Sequence, residues 1–138
     1  MKKPFLLFAL KCSIIFYFAA CTGMEDYITD KAATPVVTEG AWVINEYLDS
    51  NSNHRNDFAG YTFTFNAAGD LTVKKNGIRT SGNWSEDDIS KKIAIHLPSA
   101  DPLLSQLNQH WKITRVTNDK IQLQQPSTRY TMSLRATL

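Results

Sequence analysis

The feature that most constrains the fold is a strict alternation of apolar and polar residues in the middle of the chain. Tyr61, Phe63 and Phe65 alternate with polar residues, which gives the segment one apolar face and one polar face. The pair Asn76-Gly77 follows, and it is the strongest two-residue hairpin signal because a type I′ turn needs two positive φ angles. The stretch is therefore predicted to be a series of β-hairpins.

The same pattern recurs along residues 40–138, which predicts eight short strands joined mostly by tight turns. One exception is the segment 99–107, where Asp101 is placed to cap a helix, Pro102 to begin it, and leucines follow at helical spacing. Closure would let the last strand pair with the first and remove both sheet edges. The predicted fold is an all-β, eight-stranded antiparallel up-and-down barrel with one short helix.

The inside of such a barrel is either filled by side chains or large enough for one small ligand. Strand pattern alone does not decide between these two cases. The side chains predicted to face inward are Trp42, Ile44, Tyr61, Phe63, Phe65, Leu71, Val73, Trp84, Ile93, Ile95, Leu97, Trp111, Ile113, Ile121, Leu123, Tyr130, Met132 and Leu134.

Residues 1–20 have the three parts of a secretory signal peptide. Lys2 and Lys3 precede an apolar segment, which ends at the small residues Ala19-Ala20. A membrane-spanning helix is the alternative, but a span needs about 20 apolar residues, and a lysine lies in the middle of this run. A cleaved signal peptide is therefore the favoured interpretation.

The sequence Phe-Ala-Ala-Cys at 18–21 resembles the lipobox of bacterial lipoproteins, with Phe18 where the usual pattern has leucine. The resemblance implies that Cys21 is lipidated and becomes the new N-terminus. The attached acyl chains would exceed the two lipid signals that stable membrane anchoring requires. Cys12 would leave with the leader, so no thiol would remain for a disulfide, a metal or a nucleophile.

Residues 21–39 are predicted to be the lipidated cysteine and a tether, and residues 40–138 the barrel domain. The tether contains Glu25-Asp26, which resembles the acidic export signal of surface lipoproteins in Bacteroidetes-type bacteria. An acidic pair is equally typical of an ordinary solvated linker. The expected location is the outer membrane, on either its periplasmic or its cell-surface side.

Several motifs of the barrel domain resemble the lipocalin-like domains of Bacteroidetes lipoproteins. They are Gly-x-Trp at 40–42, the aromatic strand at 61–65, Asn-Ala-Ala-Gly-Asp-Leu-Thr-Val at 66–73 and Gly-Asn-Trp-Ser at 82–85. The resemblance implies an eight-stranded barrel with Trp42 packed across its closed end. It also implies, loosely, the binding of small apolar molecules, although no particular ligand can be carried over.

Charge gives no reason to expect a nucleic-acid partner. The whole chain has a formal net charge of +2, with 15 basic and 13 acidic side chains. Removal of the three leader lysines leaves 12 basic side chains against 13 acidic ones. Nucleic-acid binding would favour a basic stripe that displaces counterions from phosphates.

The sequence offers little for catalysis, metals or cofactors. His54, His96 and His110 are scattered over a loop, an outer strand face and a strand start, which favours surface histidines over a metal site. The polar loop Asp49–Asp57 and the acidic turn at 86–88 lack the glycine and closing glutamate of an EF-hand loop. Nucleophile-elbow, phosphate-loop and zinc-protease motifs are missing. A non-enzymatic protein without metal or cofactor is predicted.

Two functional hypotheses stay open. In the first, the barrel mouth binds a small, largely apolar ligand; in the second, a filled barrel acts through its surface as a protein-binding or inhibitor module. Aromatic residues that face inward are either core or pocket wall. The candidate ligand-binding residues are Trp42, Tyr61, Phe63, Phe65, Trp84, Trp111 and Tyr130.

Overall fold

The computed structural model describes residues 32–50 and 52–138, and most of its regular structure is β-strand. The predicted signal peptide, Cys21 and the acidic pair lie outside these described residues. The strands are β1 (Trp42–Asp49), β2 (Ser52–Asn53), β3 (Thr62–Phe65), β4 (Asp70–Lys75), β5 (Ile78–Asp87), β6 (Lys92–His96), β7 (His110–Val116), β8 (Lys120–Gln124) and β9 (Thr131–Ala136). The helical segments are α1 (Thr34–Val37), a 3-10 helix (Arg55–Phe58) and α2 (Pro102–Ser105).

Eight of these strands close into a barrel. From β3 to β9 each strand pairs with the next one in antiparallel orientation. β9 then pairs with β1 over the length of both strands, and β1 meets β3 at Trp42 and Phe63. The predicted eight-stranded antiparallel up-and-down barrel is confirmed. β2 is a short additional strand that extends a hairpin from β1.

The alternating strand directions give the barrel two different ends. One end, which we call the closed end, holds α1 and the turns at 66–69, 88–91 and 117–119. The other end, which we call the mouth, holds the loop at 52–61, the turn at 76–77, the segment 97–109 and the loop at 125–130.

The inside of the barrel is a continuous hydrophobic core. All of the side chains predicted to face inward are buried, apart from Tyr130, which is partly buried against the core. Burying a large apolar side chain contributes about 1.5–3 kcal/mol, so this core is the main source of stability. Buried apolar residues that the strand pattern did not identify are Ala33, Val36, Val37, Tyr47, Phe58, Leu104, Leu107 and Val116, and the polar Ser133 is buried as well.

Two β-bulges explain why Tyr47 and Val116 point inward. In β1 the pairing with β9 skips Asn45, and in β7 the pairing with β8 skips Thr114. Each extra residue shifts the alternation by one, so the residues that follow change faces. Tyr47 then pairs with the buried Met132.

The helix predicted within 99–107 is confirmed in a shorter form, and α2 begins at Pro102. The side chain of Asp101 accepts a hydrogen bond of 2.9 Å from the backbone N–H of Leu103, which is the geometry of an N-cap. Leu104 and Leu107 are buried, so this segment covers part of the barrel mouth.

The chain before residue 40 is folded onto the barrel from Ala33 onward. Ala33, Val36 and Val37 belong to the core cluster, and Val37 accepts a 2.8 Å hydrogen bond from the indole N–H of Trp42. The later part of the segment assigned to the tether is therefore packed against the closed end. The sequence did not indicate this helix, because one helical turn with two valines is too short to show a helical period.

The turn between β4 and β5 has the predicted conformation. Asn76 has a φ of 52° and Gly77 a φ of 77°, as a type I′ turn requires. This turn fixes the register in which Lys75 lies opposite Ile78, at the rim of the barrel mouth.

None of the helices in residues 32–50 and 52–138 is both long enough and apolar enough to span a bilayer.

Candidate functional site

The hairpin of β4 and β5 forms the inner wall of a pocket at the barrel mouth. Val73 lies opposite Thr80, and Lys75 lies opposite Ile78. Residues paired in this way share one face of the sheet, as do residues two positions apart in a strand. Val73 is buried in the core, so all four side chains are on the inner face.

The segment 99–104 forms the other side of this pocket. Ser99 accepts a 3.1 Å hydrogen bond from the backbone N–H of Asp101, and Asp101 in turn caps α2. These bonds hold the carboxylate of Asp101 at the edge of the mouth, while Leu104 is buried below it. The segment is thus a fixed roof with one acidic group and one apolar group.

Tyr61 connects the roof to the wall. Its hydroxyl donates a hydrogen bond to the carboxylate of Asp101. The ammonium nitrogen of Lys75 lies 4.2 Å from the centroid of the Tyr61 ring, which is within the range of a cation–π contact. The three side chains therefore form one connected polar cluster at the mouth.

The protonation states of this cluster follow from the same contacts. The hydrogen bond to Asp101, with burial as a second cause, raises the pKa of Tyr61 to about 12. The hydrogen bond from Tyr61 and the backbone N–H of Leu103 hold the pKa of Asp101 below its usual value. At neutral pH Tyr61 is thus a neutral phenol and Asp101 a carboxylate.

The pocket between wall and roof has a volume of about 270 Å³. It is lined by Tyr61, Val73, Lys75, Asn76, Ile78, Thr80, Ser99, Ala100, Asp101 and Leu104. Ile78 is 72% exposed, which is unusual for a large apolar side chain on the inner face of a barrel. The arrangement is an open pocket with apolar walls and charged groups at its rim.

Aromatic side chains also pack against one another at the mouth end of the barrel. The ring of Tyr47 lies 5.1 Å from that of Phe58, 5.9 Å from that of Tyr130 and 6.2 Å from that of Trp111, measured between centroids. Burial, with smaller effects from Tyr130 and Asp49, raises the pKa of Tyr47 to about 12. Phe58 in turn lies 6.4 Å from Tyr61 between ring centroids, so this cluster adjoins the mouth pocket.

Of the seven predicted ligand-binding residues, Tyr61 lines the mouth pocket. The indole N–H groups of the three tryptophans donate to backbone carbonyls: Trp42 to Val37, Trp84 to Asn66 and Trp111 to Leu107. The two phenylalanines are 2% exposed, and the ring of Phe65 lies edge-on to Trp84 with 5.4 Å between centroids. Apart from Tyr61, the residues of this set lie in the packed interior, except for Tyr130, which is half-buried at the mouth. Trp84 also borders the groove on the outside of β5 and β6.

The sequence analysis did not identify the rest of the pocket. Lys75 is two residues after Val73 in β4, so both side chains are on the inner face. The turn at Asn76-Gly77 fixes which residues of β5 lie opposite them, so Ile78 and Thr80 could also have been placed on the inner face. The sequence analysis assigned none of these three positions to a face of the barrel. The approach of Asp101 depends on how a loop folds back over the mouth, for which the sequence contains no local signal.

Other concave regions lie on the outside of the barrel. The larger one, of about 400 Å³, runs over β5 and β6 and is lined by Asn83, Trp84, Ser85, Ala94, Ile95, His96, Asn108, Gln109 and His110. A second groove of about 330 Å³ lies beside β1 and β3, where the two strands pair at one position. Both are shallower than the mouth pocket.

The described residues include no group of three or more His, Cys, Asp or Glu side chains that could hold a metal ion. His54 lies 3.3 Å from the carboxylate of Asp57, and Asn53 accepts a 3.0 Å hydrogen bond from the backbone of Arg55. In the polar loop that follows β1, these side chains are thus engaged in local turn contacts. His96 and His110 lie on neighbouring strands along the outer groove.

Comparison with known proteins supports the fold and leaves the function open. No protein-family model matches the sequence, and a search of curated proteins found no match. The chain is similar in structure to a DUF4847 family protein from Bacteroides vulgatus, with a TM-score of 0.62 and 12% sequence identity. The similarity covers 77% of this chain and 98% of the other one. At this identity the two proteins share a barrel fold, and the likeness says nothing about what either one binds.

Proposed function

We propose that this protein is a cell-envelope lipoprotein, anchored to the outer membrane through Cys21, whose barrel mouth binds a small and largely apolar molecule that carries a polar group. The observation that carries the proposal is the pocket between the β4–β5 hairpin and the roof segment 99–104. Its position at the open end of a barrel is where such folds bind ligands.

The walls of the pocket suit an apolar ligand. Val73 and Ile78 line it on the hairpin wall and Leu104 on the roof, and covering the exposed Ile78 side chain would contribute about 1.5–3 kcal/mol. The volume of about 270 Å³ lies just below the range of roughly 300–1,000 Å³ that is usual for drug-sized ligands. The ligand is accordingly expected to be small.

Lys75 suits the polar group of the ligand. The ion pairs among the described residues do not include Lys75, and its ammonium group rests on an aromatic ring. An ammonium has three N–H donors, and a ring face occupies one direction around it. The remaining donors at the rim favour a ligand with an acceptor such as a carboxylate or a hydroxyl.

The proposed role is binding rather than catalysis. A general acid or base should have a pKa near the working pH, whereas the pKa of Tyr61 is raised to about 12 and that of Asp101 is lowered. Both shifts fix one protonation state at neutral pH. The cluster is thus suited to holding a ligand in place and poorly suited to moving protons.

Calorimetric titration of the protein from residue 22 onward tests the proposed site. Decanoate, decanol and a bile acid serve as probes, and at least one is expected to bind. The Ile78→Asp variant should weaken binding by about tenfold or more because it places a charge on the apolar wall. Ile89→Asp is the matched control, since Ile89 is an exposed isoleucine in a turn at the closed end. Equal affinities of the two variants would place the binding elsewhere.

The anchor is tested separately with the Cys21→Ser variant in cells. Loss of the acylated cysteine should release the protein from the membrane fraction, because no other lipid signal is expected in the chain. Continued anchoring of this variant would contradict the lipoprotein assignment.

A second candidate function is a protein-binding or inhibitor module with a filled barrel. The aromatic cluster around Tyr47 favours it, since these rings pack against one another at the mouth end of the barrel. The outer groove along β5 and β6 would then be the contact surface. This alternative predicts that no small apolar probe binds at the mouth, and that Asn83→Arg in the outer groove disrupts partner binding.

A further inference from the structure

The chain enters the barrel at the end opposite the ligand pocket, and it is firmly held there. The carboxylate of Glu86, near the end of β5, accepts hydrogen bonds of 2.6 Å from the backbone N–H groups of Ala33 and Thr34. It also accepts a hydrogen bond from the hydroxyl of Thr34. One carboxylate thus caps the start of α1 and fixes it to the barrel wall.

Apolar contacts reinforce this attachment. Ala33 and Val37 are completely buried, and Val36 is 6% exposed. The indole of Trp42 donates a 2.8 Å hydrogen bond to the carbonyl of Val37. An anchor on the N-terminal side of Ala33 is therefore connected to the barrel at its closed end.

From this geometry we infer that the anchored protein presents its closed end to the membrane and its mouth to the aqueous phase, so that ligands reach the pocket from solution and not from the leaflet that holds the anchor. The inference rests on the proposed lipid anchor at Cys21. Eleven residue steps separate Cys21 from Ala32, which corresponds to a reach of at most about 40 Å.

The barrel itself adds distance between the membrane and the pocket. β1 has eight residues, and a tilted strand of that length spans about 20 Å along the barrel axis. The mouth is thus the part of the described structure farthest from the point of attachment. A hydrophobic molecule would have to leave the bilayer before it reached Ile78.

The surface of the closed end carries charges of both signs. Asp87 lies opposite Lys92 at the start of β6, Asp88 and Lys91 lie in the turn between β5 and β6, and Asp119 precedes Lys120 at the start of β8. Interspersed charges of both signs do not form the basic cluster that binds anionic lipids. What brings this end towards the membrane is therefore the attachment of the chain there, and not adhesion of its surface.

The test uses the acylated protein in vesicles that contain nitroxide-labelled lipids. Single cysteines are introduced by Ser90→Cys at the closed end and Ser127→Cys at the mouth, and each is labelled with a fluorophore. The two positions are matched: both serines are exposed, and the backbone N–H of each is bonded to a nearby side chain, Asp87 and Gln125 respectively. Because the sequence has two cysteines, Cys12 in the leader and Cys21, the introduced thiol is the one that reacts.

The fluorophore at Ser90→Cys should lose clearly more emission to the membrane quencher than the one at Ser127→Cys. Equal quenching, or stronger quenching at Ser127→Cys, would overturn the inferred orientation and leave the anchor intact. The control is the protein without introduced cysteines. If the fluorophore labels it and it fails to bind vesicles, its Cys21 is free and not acylated. That result would overturn the proposed anchor, and the orientation with it.

Discussion

The hydroxyl of Tyr61 on the inner wall donates a hydrogen bond to the carboxylate of Asp101, which lies 40 residues further along the chain. Asp101 also caps α2. This one contact therefore fixes the roof of the mouth pocket to its wall and sets the distance between the two sides. Lys75 lies against the ring of the same tyrosine, so both charged groups of the pocket, Asp101 and Lys75, contact Tyr61.

A double-mutant cycle should show that Tyr61 and Asp101 are coupled. Tyr61→Phe keeps the ring beneath Lys75, and Asp101→Asn keeps an N-capping side chain, so each change removes little except the charged hydrogen bond. Each variant is expected to lose about 1–2 kcal/mol of unfolding free energy, with a coupling of about 1.5 kcal/mol. Urea unfolding of the four proteins measures this. Additive losses would mean that the bond does not connect roof and wall.

Stability should fall in alkaline solution because two tyrosines resist ionisation in the folded protein. The pKa values of Tyr47 and Tyr61 are raised to about 12, whereas an unfolded tyrosine ionises near pH 10, an approximate reference value. Protons that the folded state retains stabilise it below the unfolded pKa, and this stability is lost as the pH rises from about 10 towards about 12.

Ultraviolet titration of tyrosinate checks this prediction. Two tyrosines should titrate late in the native protein, and Tyr61→Phe should remove one of them. If all tyrosines of the native protein ionised near the unfolded pKa, the account of the hydrogen bond at the mouth would be wrong. On the acid side, the lowered pKa of Asp101 predicts a loss of stability as the pH falls below about 4.

The attachment of α1 should depend on Glu86. Glu86→Gln replaces one acceptor oxygen with an NH₂ donor, which then faces a backbone N–H donor of Ala33 or Thr34. We expect a loss of about 2 kcal/mol in unfolding free energy, as for a broken set of charged hydrogen bonds. Asp88→Asn is the control, because Asp88 is an exposed acidic residue in the same part of the barrel. Similar stabilities of the two variants would show that α1 is held by its valines alone.

Gly82 should tolerate no side chain. A Cβ at this position would lie 2.2 Å from the carbonyl oxygen of His96 and 2.8 Å from a methyl group of Leu97. Gly82→Ala would force β5 and β6 apart and cost about 3 kcal/mol. Gly77→Ala, where the Cβ meets open space but φ is +77°, should cost only about 1–2 kcal/mol. Thermal unfolding ranks the two variants, and the reverse order would mean that the strands can separate easily.

The sequence predicted the barrel because the alternation of buried and exposed positions is a direct consequence of strand geometry. The capped start of α2 at Asp101 and the type I′ turn at Asn76-Gly77 were also predicted correctly, since both depend on local chemistry. Tyr47 was missed because one extra residue, Asn45, reverses the alternation within β1. A bulge of this kind changes the spacing of buried residues from two to three, as between Ile44 and Tyr47, and a search for strict alternation does not recognise it.

The candidate site was harder to predict than the fold. Tyr61 was identified because it is aromatic and faces inward, whereas Lys75 and Asp101 were not. Their roles arise from contacts between segments that are distant in sequence, and such contacts depend on how the roof segment folds over the mouth. Aromatic content alone pointed to the core, where Trp42, Phe63 and Phe65 are buried.

The central claim is that the barrel mouth binds a small apolar molecule with a polar group. The most direct measurement is a titration of the isotope-labelled protein with decanoate, followed by the backbone amide resonances. The account predicts saturable shifts at Lys75, Ile78 and Ala100, which line the pocket, and little change at His96 and His110 in the outer groove. Shifts confined to the outer groove, or no saturable shifts at any concentration at which the probe stays monomeric, would contradict it.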